Sequence, residues 1–206
     1  SRAFQMMVSV GRLDILKVLA DTTNQISEGE VWQLKNQYRA DISESEYDQV
    51  ITRKTAVLFE AAAACAGLIT DQSDEVIEAL KIYGLQLGFA FQLIDDYLDY
   101  AGDTNSLGKN LGDDLADGKC TLPIIRALTE STAAEEAVIT KAIISGDRDC
   151  FYEISEIVNR TSGLSYTKER ALAAVSRAKN ALETLPDSVF REGLMGLADL
   201  SVSRAT

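Results

Sequence analysis

An amide and two carboxylates share one face of a predicted helix near the middle of the chain. Gln92, Asp95 and Asp99 recur at spacings of three and four residues, and Asp96 lies beside them. Like charges at such spacings destabilise an isolated helix, so a surface helix gains nothing from them. Hard cations such as Mg²⁺ take oxygen ligands and are commonly shared between one or two carboxylates and a substrate phosphate. The pattern therefore indicates a site for a metal-bound phosphate ester.

The segment after this helix supplies the opposite charge. Lys109 and Lys119 are set among four glycines between positions 102 and 118. A glycine-rich, polar segment of this kind predicts a flexible loop, which we expect to fold over the carboxylates. Asp113 and Asp114 in the same segment are interpreted as caps of the following turn or as acids that reach a metal through water.

Lys54 is a third basic candidate, and its position has two interpretations. It falls within an apolar stripe, between Ile51 and Leu58. A lysine there either extends to the surface or faces a cavity that holds an anion. The hydroxyl of Thr55 and the alanines at 61–64 favour the cavity, since small side chains leave lateral room, although such a run also suits close helix packing.

The carboxylates are positioned by a helix that we predict from Ser73, as its cap, to Tyr100. Its apolar stripe recurs every three or four residues and consists of Leu87, Phe91, Ile94 and Leu98. Gly84 and Gly88 lie on the carboxylate face, where they leave open space or allow a close helix crossing.

Apolar periodicity predicts helices along the rest of the chain and few strands. The first two are predicted over 2–20, with a soft break at Gly11, and over 22–38, with Phe4, Met6 and Met7 as core, and Glu28 and Glu30 as a solvated face. Ser43 and Glu46 form a plausible capping box for a helix that runs to about Ile69, on one face of which lie Tyr47, Ile51, Leu58, Ala62 and Cys65. Pro123 opens another helix, and further helices are predicted at 133–145, 147–160, 165–185 with Ser165 as cap, and 188–203 after Pro186. The expected fold class is all-α.

Composition excludes several classes of function. The 206 residues carry a formal charge of −12, which argues against a nucleic-acid partner. The absence of histidine excludes Ser-His-Asp catalysis and His-ligated zinc. Cys65, Cys120 and Cys150 are widely separated and suggest reduced thiols in a cytoplasmic protein. No apolar run reaches the roughly 20 residues needed for a transmembrane segment.

Five stretches of the chain resemble the trans-polyprenyl diphosphate synthases. FQLIDDYLD and GKNLGDDLADGKCTLP resemble the second aspartate-rich motif and the loop that follows it, and AFQMM, ISEGEVWQL and KTAVLFEAAA extend the similarity. Together these motifs are specific, and they are most similar to the C-terminal part of the bacterial octaprenyl-type enzymes. The resemblance implies an isoprenoid-synthase-type helical bundle around a central cavity, with residues 1–206 as the C-terminal part of a single domain.

The resemblance also implies roles for individual residues. Asp95 and Asp99 would ligate Mg²⁺, with Asp96 holding a metal-bound water. The residues that would contact the diphosphate are Lys54, Thr55, Lys109 and Lys119, with Gln92 orienting it. The implied substrates are isopentenyl diphosphate and an allylic prenyl diphosphate, which would be joined to a long-chain all-trans polyprenyl diphosphate of octaprenyl type, a precursor of quinone side chains. The first two helices would lie near a homodimer contact, and a side chain such as Met7 would floor the product tunnel.

One departure limits this expectation. The family carries another aspartate-rich motif in a part that would precede Ser1, and no such motif occurs here. We therefore expect that the N-terminal helices are missing and that the 206 residues are inactive alone. The alternatives are a non-catalytic subunit of a heteromeric prenyl synthase, whose sign would be a damaged DDxxD motif, and an all-α scaffold with a solvated acidic patch. A terpene cyclase would share the helices and a metal site, but not the GKNLGDD and GKCTLP elements.

Overall fold

All regular elements in the computed structural model, which describes residues 2–101 and 111–203, are helical. The α-helices are α1 (Arg2–Ser9), α2 (Leu13–Asn36), α3 (Glu44–Ile51), α4 (Val57–Ile69), α5 (Asp74–Ala101), α6 (Asp113–Ala116), α7 (Leu122–Glu130), α8 (Ala133–Ser145), α9 (Phe151–Arg160), α10 (Gly163–Ala181) and α11 (Val189–Ser203). A π-helical segment, Thr52–Ala56, joins α3 to α4, and short 3-10 turns lie at Arg148–Cys150 and Leu182–Thr184. The predicted all-α class is confirmed.

Local capping chemistry sets several of the predicted helix starts. The capping box at α3 is present, because the Ser43 hydroxyl accepts the Glu46 N–H while the Glu46 carboxylate accepts the Ser43 N–H. The prediction of Ser165 as a cap was wrong. Helix α10 begins at Gly163, whose missing side chain allows contact with the Pro123 carbonyl, where a Cβ would lie 2.5 Å away. This close contact starts the helix before Ser165.

The first two helices differ from the prediction. Their break lies at Gly11, which has a φ of +71°, and α2 then continues unbroken through the predicted second break near Asp21. Neither glycine nor proline occurs in its first four turns, so nothing in the backbone interrupts it. The assignment of Phe4 and Met6 to the core was also wrong: α1 has no buried residue, and these two side chains are 60% and 62% exposed.

Helix α5 runs through the middle of the bundle, between α4 and α10. Its buried side chains include Leu87, Leu93 and Ile94. The glycines of α5 create the crossing with α4: a Cβ on Gly84 would lie 2.4 Å from the Phe59 carbonyl oxygen. Gly84 and Gly88 therefore permit close helix packing instead of leaving open space.

This crossing also determines which face of α4 is buried. Val57, Ala61 and Ala64 face the interior, whereas Leu58 is half exposed and Ala62 is exposed. After Ile51, each buried residue of α4 therefore lies one position before the predicted one. The reason is that the adjacent face of α4 packs against the glycines of α5. Among the described helices, none is both long and apolar enough to traverse a lipid bilayer.

Candidate functional site

A cavity of about 300 Å³ lies where α2, α3, the π-helical segment, α5 and the start of α7 meet. Six of the predicted site residues line it: Lys54, Thr55, Gln92, Asp95, Asp96 and Lys119. Gln33 and Tyr47, which the sequence analysis had not placed in the site, also line it, as does Asp114, one of the two acids interpreted as caps or as groups that reach a metal through water. Lys109 lies outside the described residues. The structure therefore gathers most of the predicted charged groups around one space.

The π-helical segment carries Lys54 and Thr55. Such segments have one extra residue in a turn and often occur at functional sites. Lys54 Nζ donates a hydrogen bond of 2.8 Å to Gln33 Oε1 and lies 3.1 Å from Glu30 Oε2. Helix α2 approaches the π-helical segment so closely that a Cβ on Gly29 would lie 2.7 Å from the backbone nitrogen of Lys54. Glu30 lies on an exposed face, as predicted, and its half-exposed carboxylate also pairs with a lysine of the cavity.

A chain of hydrogen bonds joins the π-helical segment and α3 to α5. Thr55 Oγ1 donates to Gln92 Oε1 at 2.9 Å, and Gln92 Nε2 donates to Asp96 Oδ1 at 2.8 Å. Tyr47 donates its hydroxyl proton to Asp96 Oδ2 at 2.6 Å. Burial, followed by the charge of Asp114, raises the pKa of Asp96 well above its ordinary value. Both oxygens of this buried carboxylate thus accept hydrogen bonds from protein groups.

Asp99 belongs to α5, and its side chain reaches the start of α6. Its two carboxylate oxygens accept the backbone N–H groups of Asp113 and Asp114, each at 3.2 Å. Burial and the neighbouring charge of Asp114 raise the pKa of Asp99 to about 6. The cap of α6 is therefore Asp99, and the interpretation of Asp113 and Asp114 as its side-chain caps was wrong.

Asp114 instead pairs with a lysine of the cavity. Lys119 Nζ lies 3.0 Å from Asp114 Oδ1 and 2.8 Å from Asp117 Oδ2. Burial alone would lower the pKa of Lys119, but the hydrogen bonds and charges of Asp117 and Asp114 outweigh it and hold that pKa above its ordinary value. The ammonium is therefore held at the rim of the cavity in its charged form.

The acidic residues have the chemistry that a hard cation requires. No three Asp, Glu or Cys side chains in residues 2–101 and 111–203 converge closely enough to hold a metal ion by themselves. Mg²⁺, however, usually keeps several waters and needs only one or two carboxylates together with substrate phosphates. Burial raises the pKa values of Asp96, Asp99 and Asp114, and the repulsion of neighbouring carboxylates adds to each. A divalent cation would relieve that repulsion, so the donor set fits Mg²⁺.

An all-helical bundle whose central helix brings carboxylates to a lysine-lined cavity defines the class of protein. The sequence model of the polyprenyl synthetase family matches residues 1–161. The chain belongs to the polyprenyl synthetase family. It is 46% identical over 205 residues to the octaprenyl diphosphate synthase of Escherichia coli (strain K12). That alignment covers 99% of this chain and 64% of the relative, so the chain spans about two thirds of the relative's length.

Solved structures share the fold. A polyprenyl synthase from Caulobacter crescentus CB15, complexed with calcium and isoprenyl diphosphate, superposes with a TM-score of 0.95 at 39% identity, covering 100% of this chain and 63% of that chain. A decaprenyl diphosphate synthase from Rhodobacter capsulatus gives a TM-score of 0.93 at 36% identity, covering 100% of this chain and 64% of that chain. The fold is therefore that of the isoprenyl synthases.

Proposed function

We propose that the protein containing this chain is a prenyltransferase that elongates an allylic prenyl diphosphate with isopentenyl diphosphate. The observation that carries the proposal is the cavity itself, which is lined by Lys54, Thr55 and Lys119 together with Asp95 of α5. Cations, a hydroxyl and carboxylates on one cavity suit a diphosphate bound together with a metal ion. The similarity to an octaprenyl diphosphate synthase supports a long-chain all-trans product of octaprenyl type.

In the proposed mechanism, Lys54 and Lys119 bind the diphosphate of the allylic substrate, and Lys109 contributes a third ammonium. Gln92 and Thr55 orient the same group through their hydrogen bond. Asp95 and Asp99, supported by Asp96, would hold Mg²⁺, and the bound ion would supply positive charge that stabilises the leaving group. Preorganised cations are effective here because negative charge develops on the diphosphate as the carbon–oxygen bond breaks.

The remaining steps need no side chain that acts as a base. The double bond of isopentenyl diphosphate attacks the allylic cation and forms the new carbon–carbon bond. The resulting tertiary cation loses a proton to the released diphosphate, which leaves a new double bond in the extended chain. The side chains of this chain bind the diphosphate, orient it and stabilise the negative charge that develops on it.

Three further parts of the proposal concern the whole protein. We propose that it is a homodimer through α1 and α2, that it works in the cytoplasm, and that the 206 residues do not elongate substrate alone. The free thiols of Cys65, Cys120 and Cys150 support the cytoplasmic assignment. The last expectation is tested by comparing product formation by the 206-residue chain and by the whole protein in one assay.

Replacing Asp95 tests the metal assignment. Asp95→Ala should reduce turnover by at least about a hundredfold, because removing a metal-binding carboxylate removes stabilisation of the leaving group. Titration calorimetry should show that pyrophosphate binding is lost at Mg²⁺ concentrations that saturate the unmodified protein. The matched control is Asp187→Ala, which removes an 89% exposed carboxylate on the distant α11 side. Unchanged kinetics and binding in Asp95→Ala would contradict the assignment.

A further inference from the structure

We propose that Tyr47 is a positioning residue for the transfer reaction: its hydroxyl fixes Asp96, and through Asp96 the distance between the diphosphate-binding turn and the metal-binding helix. The inference rests on the proposed function. It starts from the 2.6 Å hydrogen bond between Tyr47 and Asp96, which joins residues 49 positions apart in the chain.

Both residues that form this hydrogen bond are buried. Tyr47 is 5% exposed and Asp96 is 3% exposed, yet both residues line the cavity. A carboxylate removed from water needs a hydrogen-bond donor for each oxygen. Gln92 serves one oxygen and Tyr47 serves the other.

The hydrogen bonds fix the orientation of the Gln92 amide. Its NH₂ group is turned towards Asp96, because its nitrogen donates to Asp96 Oδ1. The Gln92 carbonyl oxygen then faces Thr55 and accepts its hydroxyl proton. The orientation of Thr55 in the cavity thus depends on how Asp96 is held.

The two ends of this chain of bonds lie on one continuous helical stretch. Tyr47 belongs to α3 and Thr55 to the π-helical segment. Both donate hydrogen bonds to α5, Tyr47 to Asp96 and Thr55 to Gln92, which lie one turn apart. The pair of attachments acts as a brace between the turn that carries Lys54 and the helix that carries Asp95. Small displacements of such groups reduce catalysis strongly, because charge stabilisation depends on preorganised geometry.

The structure explains why Tyr47 acts through position. Its hydroxyl donates to Asp96, a residue that lies beside Asp95 in α5, and its ring packs in the hydrophobic core. Tyr47→Phe keeps this packing and removes only the hydroxyl. The variant therefore isolates the brace from the core.

The test compares Tyr47→Phe with Tyr83→Phe in the whole protein. Tyr83 is also buried, and its hydroxyl donates to the Leu194 carbonyl at 2.9 Å, far along α5 from the cavity. A hydrogen bond to a buried charged group is of the size that changes an equilibrium or a rate by about ten- to a hundredfold. Tyr47→Phe should lower kcat by about that factor, and it should raise the Mg²⁺ concentration needed for half-maximal pyrophosphate binding. The KM for isopentenyl diphosphate should stay the same, and Tyr83→Phe should change melting temperature alone.

A double-mutant cycle provides a readout that needs no turnover. Tyr47→Phe and Asp96→Asn, alone and together, should show a coupling in metal-free unfolding experiments that Tyr83→Phe and Asp96→Asn lack. The inference is overturned if Tyr47→Phe matches Tyr83→Phe in kcat and in Mg²⁺ dependence, even when its melting temperature falls. If the unmodified protein neither binds pyrophosphate with Mg²⁺ nor elongates substrate, the proposed function fails, and the inference fails with it.

Discussion

Lys54 shows how a single residue connects the cavity to a helix that sequence reasoning had assigned to solvent. Its ammonium is already held by Gln33 and Glu30. Lys54→Ala should therefore leave the free energy of unfolding nearly unchanged or slightly lower, because a partly exposed ion pair contributes little.

Binding should respond far more than stability. Loss of one charge-assisted contact to a diphosphate should weaken pyrophosphate binding by about ten- to a hundredfold. Lys81→Ala is the matched control, because Lys81 is similarly exposed, pairs with Glu78 on α5 and does not line the cavity. Equal binding by the two variants, measured by titration calorimetry with Mg²⁺, would mean that Lys54 does not contact the anion.

Asp99 gives a dependence of stability on pH. Because its pKa in the folded protein is raised to about 6, above the value of an unfolded aspartate, the ionised form disfavours folding at pH 7. Asp99→Asn removes this titration, but its amide nitrogen cannot accept one of the two backbone N–H groups at the start of α6, a loss that does not vary with pH. From below about pH 4, where the carboxyl is protonated in both states, to pH 7, the metal-free unfolding free energy of Asp99→Asn should rise relative to that of the unmodified protein by on the order of 1 kcal/mol, allowing for partial exposure. A difference that does not vary with pH, in urea titrations across this range, would remove burial as the cause.

The residues of the site differ in whether the sequence alone could reveal them. Gln92 and Asp95 share a helix face by spacing alone, so sequence reasoning placed both correctly at one cavity. Tyr47, Glu30 and Gln33 serve that cavity through partners 21 to 49 positions away, and periodicity carries no information on such contacts. An aromatic residue in an apolar stripe looks the same whether or not its hydroxyl meets a carboxylate.

At the scale of elements, local signals were reliable and contacts between helices were not. The capping box at Ser43 and the break at Pro186 are determined by neighbouring residues in the sequence, and both features were predicted. The buried face of α4 depends on where α5 presses against it, which sequence periodicity could not show. The π-helical segment was also unforeseen, because no residue type marks an extra residue in a turn.

The α4–α5 crossing can be tested by a pair of glycine replacements. A methyl group at Gly84 would lie 2.4 Å from the Phe59 carbonyl oxygen and 2.9 Å from the Glu60 Cα, both of which belong to the backbone. Gly84→Ala should therefore destabilise the protein by about 1–3 kcal/mol or more, as overpacking does. Gly193→Ala, in α11 with nothing within 4 Å of its Cβ, should stabilise by about 0.5–1 kcal/mol. Denaturant midpoints that move in the same direction for both variants would contradict the close crossing.

At the scale of the whole molecule, the fold brings both signs of charge to one cavity. The chain is strongly acidic, and yet two lysines are brought to the cavity, each held by carboxylates. A diphosphate entering with Mg²⁺ would exchange these internal pairs for contacts with its own oxygens. The composition alone could exclude nucleic acid but could not show that the few basic residues converge.

The exposed apolar residues of α1 and α2 carry the last prediction. Val31 and Leu34 are 62% and 58% exposed, and Phe4 on α1 is 60% exposed. Apolar residues grouped on neighbouring helices commonly mark an interface. If two copies meet there, Leu34→Glu should place a charge in the contact and shift the whole protein from dimer to monomer in sedimentation experiments. Leu172→Glu, on the 48% exposed Leu172 of α10, should leave the dimer intact.

Two results would contradict the dimer through this face. One is a monomeric unmodified protein at micromolar concentration. The other is a Leu34→Glu variant that melts at a lower temperature but keeps the mass of a dimer, because the face would then be covered within one chain. A dimer that dissociates with Leu34→Glu and persists with Leu172→Glu assigns the contact to α2, directly behind Glu30 and Gln33, which hold Lys54. Dissociation should then also weaken pyrophosphate binding, since a disturbed α2 no longer fixes the ammonium that faces the cavity.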